Sequence, residues 1–343
     1  MIFCCKNNKI RVFYCIAIFL ALLGGFVGRN QIKGKIIAVS QKWNQLHAYD
    51  YPAENNGWVK YGKHPVYGNL ETGPMFDPYV WTSDSCLMMC VSERKTGSLI
   101  ALSSKEGIKW QKVSTMLSPR KNTWEDIVNR GCVVKVNNIY YLYYTGQKSG
   151  NMGGQSAIGI AVSTDGLKYN RIFVSPILRP ETEIEKQSVM NPCVLYNKVE
   201  KKFKMWYAAG ETYEPDVICF AESKDGIHWK KRITPVLSKN TIHEWEQEKV
   251  GGCQVLKTRN GYEMYYIGYQ NVDVARVCYA TSKDGIRWNR NFSNLLLSPS
   301  RGNWDAEATY KPTVYKQKDK IMLWYNGRKG GEEYIGLAIK RLK

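Results

Sequence analysis

Short segments in which apolar and polar residues alternate recur along most of the chain. "AIGIAVS" and "VICFAES" are examples, and each runs into a turn that contains Asp-Gly or Glu-Gly and is followed by an aromatic residue. These turns begin at Ser104, Ser163, Ser223 and Ser282, so they lie 59 or 60 residues apart. The alternation predicts β-strands, and the Asp-Gly pairs predict tight hairpin turns. A fixed period of this length indicates a repeat fold.

Each repeat contains four predicted strands, including an aromatic one such as "IYYLYYTG" or "FKMWYAAG". Five such repeats predict an all-β fold, a five-bladed β-propeller with four-stranded blades. The last repeat ends at Lys343 without its turn and outer strand, whereas "NNGWVKYGKHPVYG" (residues 55–68) matches that missing piece. We therefore expect the N-terminal strand, with Trp58, to complete the last blade and close the ring. The propeller domain is predicted to span residues 55–343.

An apolar segment, residues 12–27, follows three cationic residues near the N-terminus. This pattern is typical of a signal segment or a single membrane anchor, although sixteen residues are few for a full span. We assign residues 1–35 to this segment and residues 36–54 to a linker. An uncleaved anchor places the propeller on the extracytoplasmic side of a membrane, and cleavage would make the protein secreted.

The chain carries a net charge of +19, of which six positive charges and no acidic residue fall in the first 35 positions. The remaining positive charge is consistent either with an anionic partner or with a lysine-rich solvated surface. Clustered Arg/Lys motifs are absent from the sequence, so a nucleic-acid partner is not expected.

Ten cysteines and four histidines lack the spacing of a metal site or a disulfide framework. Several of the cysteines fall at equivalent positions of the repeats, which predicts small buried apolar side chains. We predict neither a metal nor a cofactor.

In a propeller, the starts of the innermost strands converge near the central axis. The alignment of the repeats puts Asp77, Gly131, Asn191, Gly252 and Lys311 at one equivalent position. Unlike the turns, these positions and the acidic segments before them differ between repeats, so they are where a site can be specified. The resulting candidate residues are Asp77, Asp126, Arg130, Gln187, Asn191, Glu248, Glu307, Tyr310 and Lys311. A tryptophan precedes three of the acidic segments, and one of them, Trp304, is a candidate platform for a sugar ring, with core packing as its alternative role.

The segment "FDPYVW", which contains Asp77 followed by Pro78, resembles the start of the first blade in the β-propeller glycosidase superfamily, which includes glycoside hydrolase families 43, 32, 62 and 130. In those families an Asp before this Pro commonly acts as base or nucleophile. "WEQEKVGGCQ" is similar to a segment of the family 130 mannoside phosphorylases. The chain departs from the family patterns at Asn191, where family 43 has an Asp, and at Ile267, where family 130 has a His.

The resemblance implies a glycan-active enzyme that cleaves or transfers a glycosidic bond of an envelope or extracellular polysaccharide. Asp77 would be the base or nucleophile, held ionised by Arg130 or Lys311, and the proton donor would be Glu248, Glu307 or Asp126. Two alternatives remain open: a propeller that binds carbohydrate without catalysis, and a phosphorylase or glycosyltransferase on the same scaffold. The repeated Asp-Gly turns, with Asp225 and Asp284, are expected to belong to the scaffold.

Overall fold

The computed structural model describes residues 29–83, 85–148, 155–211, 215–291 and 293–342. The chain divides into two compact units, Met1–His47 and Ala48–Lys343. The first contains helix α1 (Arg29–Leu46), a segment rich in good helix formers, and a short 3-10 helix follows it (His47–Tyr49). Helix α1 therefore occupies much of the predicted linker. The predicted anchor segment, residues 12–27, lies outside the described residues, and none of the helices that are described is long and apolar enough to span a membrane.

The second unit is built of β-strands. The first sheet contains β2 (Met75–Thr82), β3 (Leu87–Glu93), β4 (Ser98–Ser104) and β5 (Gln111–Leu117). An eight-stranded sheet contains β6 (Ile127–Val136), β7 (Ile139–Gln147), β8 (Ser156–Ser163), β9 (Asn170–Arg171), β10 (Ser188–Asn197), β11 (Lys202–Gly210), β12 (Val217–Ser223) and β13 (Lys230–Lys231). After a 3-10 helix (Glu244–Glu246), the next sheet contains β14 (Lys249–Thr258), β15 (Gly261–Tyr269), β16 (Ala275–Ser282) and β17 (Leu295–Leu297). The last contains β18 (Ala308–Lys316), β19 (Lys320–Lys329), β20 (Glu332–Arg341) and β1 (Trp58–Lys60).

The eight-stranded sheet consists of two antiparallel groups that meet at a single parallel pair, Ser188 with Ser156. Antiparallel four-stranded groups thus follow one another along the described chain, and we call them repeats 1 to 5. They are β2–β5, β6–β9, β10–β13, β14–β17, and β18–β20 together with β1. The sequence predicted this order of strands.

Strand β1 forms the outer edge of repeat 5. It pairs antiparallel with β20, with Trp58 opposite Lys340. The Trp58 side chain is buried among residues of repeats 4 and 5, including Tyr265 and Leu323. The prediction that the N-terminal strand, with Trp58, supplies the outer strand of the last repeat is confirmed.

The recurring turns are held by their own polar side chains. In repeat 3, Ser223 Oγ accepts the Gly226 N–H at 2.9 Å, and Asp225 Oδ1 accepts the His228 N–H at 2.8 Å. Gly226 has a φ of +76°, a conformation that favours glycine because a Cβ would be strained there. Local hydrogen bonding and one special backbone conformation explain why the turn sequence recurs.

The turns also hold neighbouring repeats together. Trp206 Nε1 of repeat 3 donates to the carbonyl of Gly285 in repeat 4 at 2.8 Å, and Trp324 Nε1 of repeat 5 donates to that of Gly107 in repeat 1 at 2.9 Å. A Cβ on Gly285 would lie 2.9 Å from Trp206, so the close approach needs glycine. The last bond joins the two ends of the repeat series.

The hydrophobic core is divided among the junctions between repeats. One cluster, for example, joins Met89 and Trp110 of repeat 1 to Met322 and Trp324 of repeat 5. The first strands also contact one another in sequence, β2 with β6, β6 with β10, β10 with β14, β14 with β18, and β18 with β2. The first strands of the five repeats therefore surround a common central region.

Candidate active site

Four first strands carry a non-glycine residue in the left-handed backbone region. They are Asp77 (φ 57°), Arg130 (φ 55°), Asn191 (φ 54°) and Lys311 (φ 49°), and each lies where the register of its strand pair shifts. The equivalent residue of Asp77 in repeat 2 is therefore Arg130, not Gly131, which corrects the sequence alignment by one position. Such strained backbone costs about 1–3 kcal/mol per residue and is concentrated at functional sites.

The strained residues are fixed by the preceding repeat. The Asp77 N–H donates to Asn326 Oδ1 at 2.9 Å, and the Arg130 N–H donates to Ser92 Oγ at 3.0 Å. The Asn191 N–H likewise donates to Thr145 Oγ1 at 3.0 Å. In each case the acceptor lies on the second strand of another repeat, so the position of these residues depends on packing between repeats.

Asp77 is a buried carboxyl group surrounded by cations. Its side chain is almost inaccessible, and Arg130 Nε lies 3.7 Å from Asp77 Oδ2. Ser92 Oγ donates to the same oxygen over 3.5 Å. Burial raises the pKa of Asp77 above its usual value, while the charges of Arg130 and Lys311 lower it by less. The two cations favour the ionised form, as the sequence led us to expect, but the loss of solvation has the larger effect on the pKa.

Asn191 and Lys311 approach each other beside Gly252 of repeat 4. A Cβ on Gly252 would lie 2.8 Å from Asn191 Nδ2 and 3.2 Å from Lys311 Cδ, so a larger residue would push both side chains away. Asn191 is 3% exposed, and its Oδ1 has no hydrogen-bond partner among the described residues. A buried amide oxygen without a partner is available to a ligand.

Glu333 is a second buried carboxylate of the candidate site, and no pattern in the sequence pointed to it. It accepts hydrogen bonds from the Tyr310 hydroxyl and from Arg94, whose guanidinium lies 4.6 Å from the centre of the Phe76 ring. Its negative charge contributes to the raised pKa of Asp77. Glu333 lies on β20, the third strand of repeat 5. The sequence pattern pointed only to residues just before, or at the start of, the first strand of each repeat.

The other predicted acids, Glu307, Asp126 and Glu248, are described by contacts with residues other than Asp77 or by their exposure. Glu307 forms an ion pair with Arg328, with 3.8 Å between Oε2 and Nε, and accepts the Gly330 N–H at 2.9 Å. Asp126 is buried and accepts the Asn122 N–H, whereas Glu248 is exposed. The exposed Gln187 lines a cavity between repeats 2 and 3. None of these contacts joins its side chain to Asp77.

Trp304 belongs to the packing between elements. Its ring stacks on Tyr325, with the ring centres 5.9 Å apart and an interplanar angle of 19°. Trp124 stacks on Tyr144 in the same way, at 6.0 Å and 21°. This arrangement corresponds to core packing, which the sequence left open as the alternative to sugar stacking.

The acidic segments supply a structural carboxylate in repeats 2 to 5. Each is buried and accepts a hydrogen bond from a tyrosine on the second strand of its repeat. The pairs are Glu125 with Tyr144 (2.7 Å), Glu185 with Tyr207 (2.8 Å), Glu246 with Tyr266 (2.6 Å) and Asp305 with Tyr325 (3.0 Å). A cation completes each group: Arg171, Lys231, Arg290 and Lys60 in the same order. We call these groups the buried acid clasps, and they account for much of the acidity of these segments.

The domain cysteines are unpaired and mostly buried. Cys132 Sγ accepts the Val194 N–H at 3.2 Å, and Cys193 Sγ accepts the Val255 N–H at 3.1 Å, so these thiols connect successive repeats beside the bulges. The described residues contain no group of three or more His, Cys, Asp or Glu side chains that could hold a metal ion.

A family model and several known proteins match the chain. The model described as "Glycosyl hydrolases family 32 N-terminal domain" matches residues 100–250. An uncharacterised protein of Mycobacterium tuberculosis is 25% identical over 62% of this chain and 71% of its own length. The beta-1,2-mannobiose phosphorylase of Thermoanaerobacter sp. is 26% identical over 66% of this chain and 75% of its own length.

Solved structures give the same result for the fold. The structure of a glycoside hydrolase has a TM-score of 0.68 and 18% identity, and the match covers 88% of this chain and 96% of that protein. A thermostable family-43 glycoside hydrolase has a TM-score of 0.62 and 17% identity, and the match covers 79% of this chain and 90% of that protein. With the family match and the phosphorylase relative, this agreement extends the resemblance first seen at Asp77-Pro78 to most of the second unit. The chain therefore resembles the β-propeller glycosidases in fold and, over part of its length, in sequence.

Proposed function

We propose that this protein cleaves or transfers a glycosidic bond of a glycan at the site formed by Asp77, Arg130, Asn191, Lys311 and Glu333. The observation that carries the proposal is the carboxyl group of Asp77, which is buried, held on a strained backbone and flanked by two cations. Packing alone does not require a carboxyl group in this place, since the equivalent residues are Arg, Asn and Lys.

The five repeats are, in this proposal, the blades of one five-bladed propeller. The contact cycle of the first strands and the cluster between repeats 1 and 5 support it. The site then lies at the central axis, where the bulges of different blades converge. This is a usual place for a pocket formed by several elements.

Asp77 is suited to donate a proton to the oxygen of the leaving sugar, because burial raises its pKa and so favours the protonated form. When the bond from the anomeric carbon to this oxygen breaks, the proton stays with the leaving sugar. In hydrolysis a water then gives its hydroxyl to the anomeric carbon and its proton to a carboxylate. Glu333 is the second carboxylate of the site and is held by Tyr310 and Arg94.

Phosphorolysis is the second candidate reaction, and Arg130 and Lys311 favour it. Both cations act on Asp77 electrostatically, and an inorganic phosphate between them would replace water as the nucleophile and give a sugar 1-phosphate. The match to the Thermoanaerobacter phosphorylase supports this candidate. In this reaction the enzyme itself needs to supply only one carboxyl group, the proton donor.

We also propose a location for the protein. The apolar segment 12–27 anchors the protein in a membrane, with the propeller on the extracytoplasmic side and an envelope or extracellular polysaccharide as substrate. Fractionation of cells that express the full chain, with protease added to intact spheroplasts, tests this. Recovery in the soluble fraction, or protection of the propeller from protease, would contradict the anchor or its orientation respectively.

Turnover of a glycan panel, with and without phosphate, tests the activity. We expect Asp77→Asn to lower kcat by about 10²–10⁴, while glycan affinity stays within a few-fold of wild type. The wild-type rate should fall on the alkaline side as Asp77 loses its proton, and the variant should lose this limb. Asp126→Asn is the matched control, since it changes a buried carboxyl outside the site.

Three outcomes of this experiment are decisive. A rate that depends on phosphate selects phosphorolysis over hydrolysis. An unchanged rate in Asp77→Asn would overturn the site. Binding of glycans by the wild type without any turnover would make the protein a carbohydrate-binding propeller and overturn the enzymatic proposal.

A further inference from the structure

A cavity of about 250 Å³ lies between repeats 2 and 3, separate from the site around Asp77. It lies beside the single parallel pair of β8 and β10, Ser156 with Ser188. Its lining includes Trp124, Lys148, Ser156, Arg179, Lys186 and Gln187. We call it the inter-repeat cavity.

Ser156 provides a buried and unsatisfied polar group in this cavity. The residue is 1% exposed, and its Oγ has no hydrogen-bond partner among the described residues. A buried hydroxyl without a hydrogen-bond partner lowers the stability of a protein. Its presence in a cavity wall is explained if a bound ligand supplies the missing hydrogen bond.

The charge of the lining is positive. Lys148, Arg179 and Lys186 contribute to it, and no carboxylate is among the described residues that line the cavity. Lys186 is balanced by Asp216 and Glu211, whose oxygens lie 2.6 and 2.8 Å from its Nζ. Neither Lys148 nor Arg179 forms an ion pair with a carboxylate in the described part of the chain, so both can pair with an anion from outside.

Trp124 adds an apolar wall. Its indole is fixed by stacking on Tyr144 and by donation from Nε1 to the Val174 carbonyl at 2.8 Å. A rigid aromatic surface beside cations and a hydroxyl suits a sugar that carries an anionic group, because the ring has apolar faces and polar substituents.

The cavity lies at the same end of the strands as Asp77. Ser188 begins β10, and Asn191 of the candidate active site follows three residues later on that strand, a distance of roughly 10 Å at the usual rise. One oligosaccharide could therefore reach both places. We propose that the inter-repeat cavity binds an anionic group, a carboxylate or a phosphate, on a sugar residue of the substrate, so that the substrate is an acidic glycan. This inference rests on the proposed function, since it names the substrate class.

Binding of oligogalacturonides to the full protein, measured by calorimetry, tests the proposal. The matched neutral probe is the same oligosaccharide with methyl-esterified carboxylates. We expect esterification to weaken binding at least tenfold, and the acid form to lose affinity as salt is raised. Equal affinity for the acid and the ester would overturn the proposal.

Variants locate the effect. Lys148→Gln combined with Arg179→Gln should weaken binding of the acid form at least tenfold, whereas Lys283→Gln, an exposed lysine on the turn of repeat 4, should not. Ser156→Ala should weaken binding without lowering the thermal midpoint, because no hydrogen bond within the protein is lost. Binding by the double variant that matches the Lys283 control would overturn the site.

Inorganic phosphate distinguishes the two anion sources. Competition by phosphate supports recognition of the anion itself, and absence of competition assigns the cavity to sugar carboxylates. The proposed function is tested separately by Asp77→Asn on neutral glycans. Turnover of neutral glycans that depends on Asp77, with no preference for acidic ones, would sink this inference and leave the proposed function standing.

Discussion

Glu246 is the carboxylate of one buried acid clasp. Its replacement distinguishes a role in the stability of the domain from a role in the reaction. The carboxylate is fully buried and accepts the Tyr266 hydroxyl at 2.6 Å, with Arg290 Nε at 3.1 Å and His243 Nδ1 at 2.8 Å. Asn294 Nδ2 donates to it at 3.3 Å. Glu246→Gln keeps the shape of the side chain and removes its charge. The cation of Arg290 is then left without its partner in a site that excludes most water.

Loss of one partner of a buried ion pair costs about 3–5 kcal/mol. A domain of this size loses roughly 2 °C of thermal midpoint for each kcal/mol, so the midpoint of Glu246→Gln should fall by about 6–10 °C. The assay is thermal unfolding followed by circular dichroism, with turnover measured well below the midpoint. Turnover should be retained, because Glu246 has no described contact with the candidate active site.

Glu244→Gln is the matched control. It lies two positions away, is exposed, and accepts the Tyr51 hydroxyl at 3.0 Å. We expect its stability to change by less than about 1 kcal/mol. A Glu246→Gln protein with an unchanged midpoint and no turnover would refute the structural role of the clasp and make Glu246 a residue of the reaction.

Three further predictions concern the scaffold. Gly327→Ala should destabilise the domain by about 1–3 kcal/mol in chemical or thermal unfolding. The new Cβ would collide with Trp304 and lie 2.7 Å from Asp305 Cβ. An unchanged midpoint would contradict the packing role of Trp304. Trp58→Ala should cost about 3–5 kcal/mol in the same assay, because this buried side chain anchors β1 to repeat 5, and a loss below 1 kcal/mol would argue against that anchoring. Hydrogen bonds from the backbone N–H groups of Arg287 and Ile286 lower the pKa of Asp284 from 3.8 to about 2. The ionised carboxylate therefore contributes fully to the stability of the domain above pH 3.8, and this contribution is lost as the pH falls through 2. Thermal midpoints should therefore fall less between pH 4 and pH 2 in Asp284→Asn than in wild type, and equal slopes would refute the assignment.

The amino-acid sequence by itself determined the repeating strands, the turns and the position of Trp58. The strands and turns are local, because the period of two along a strand and the positive φ of a turn glycine follow from a few neighbouring residues. The position of Trp58 followed from the match of residues 55–68 to the piece that the last repeat lacks. Asp77 was also identified as a candidate from the sequence. Its Asp-Pro pair is a local motif, and the resemblance assigned that motif to the start of the first blade.

Only the tertiary structure decided what surrounds Asp77. Its N–H is bound by Asn326, a residue 249 positions away, and Glu333 joins the site from a strand of the last repeat. The alignment placed Gly131 where the backbone places Arg130, because the bulge register depends on the partner strand. Burial, which no local pattern reports, raises the pKa of Asp77 despite two cations. This shift is why we propose Asp77 as a proton donor, whereas the resemblance implied a base or nucleophile.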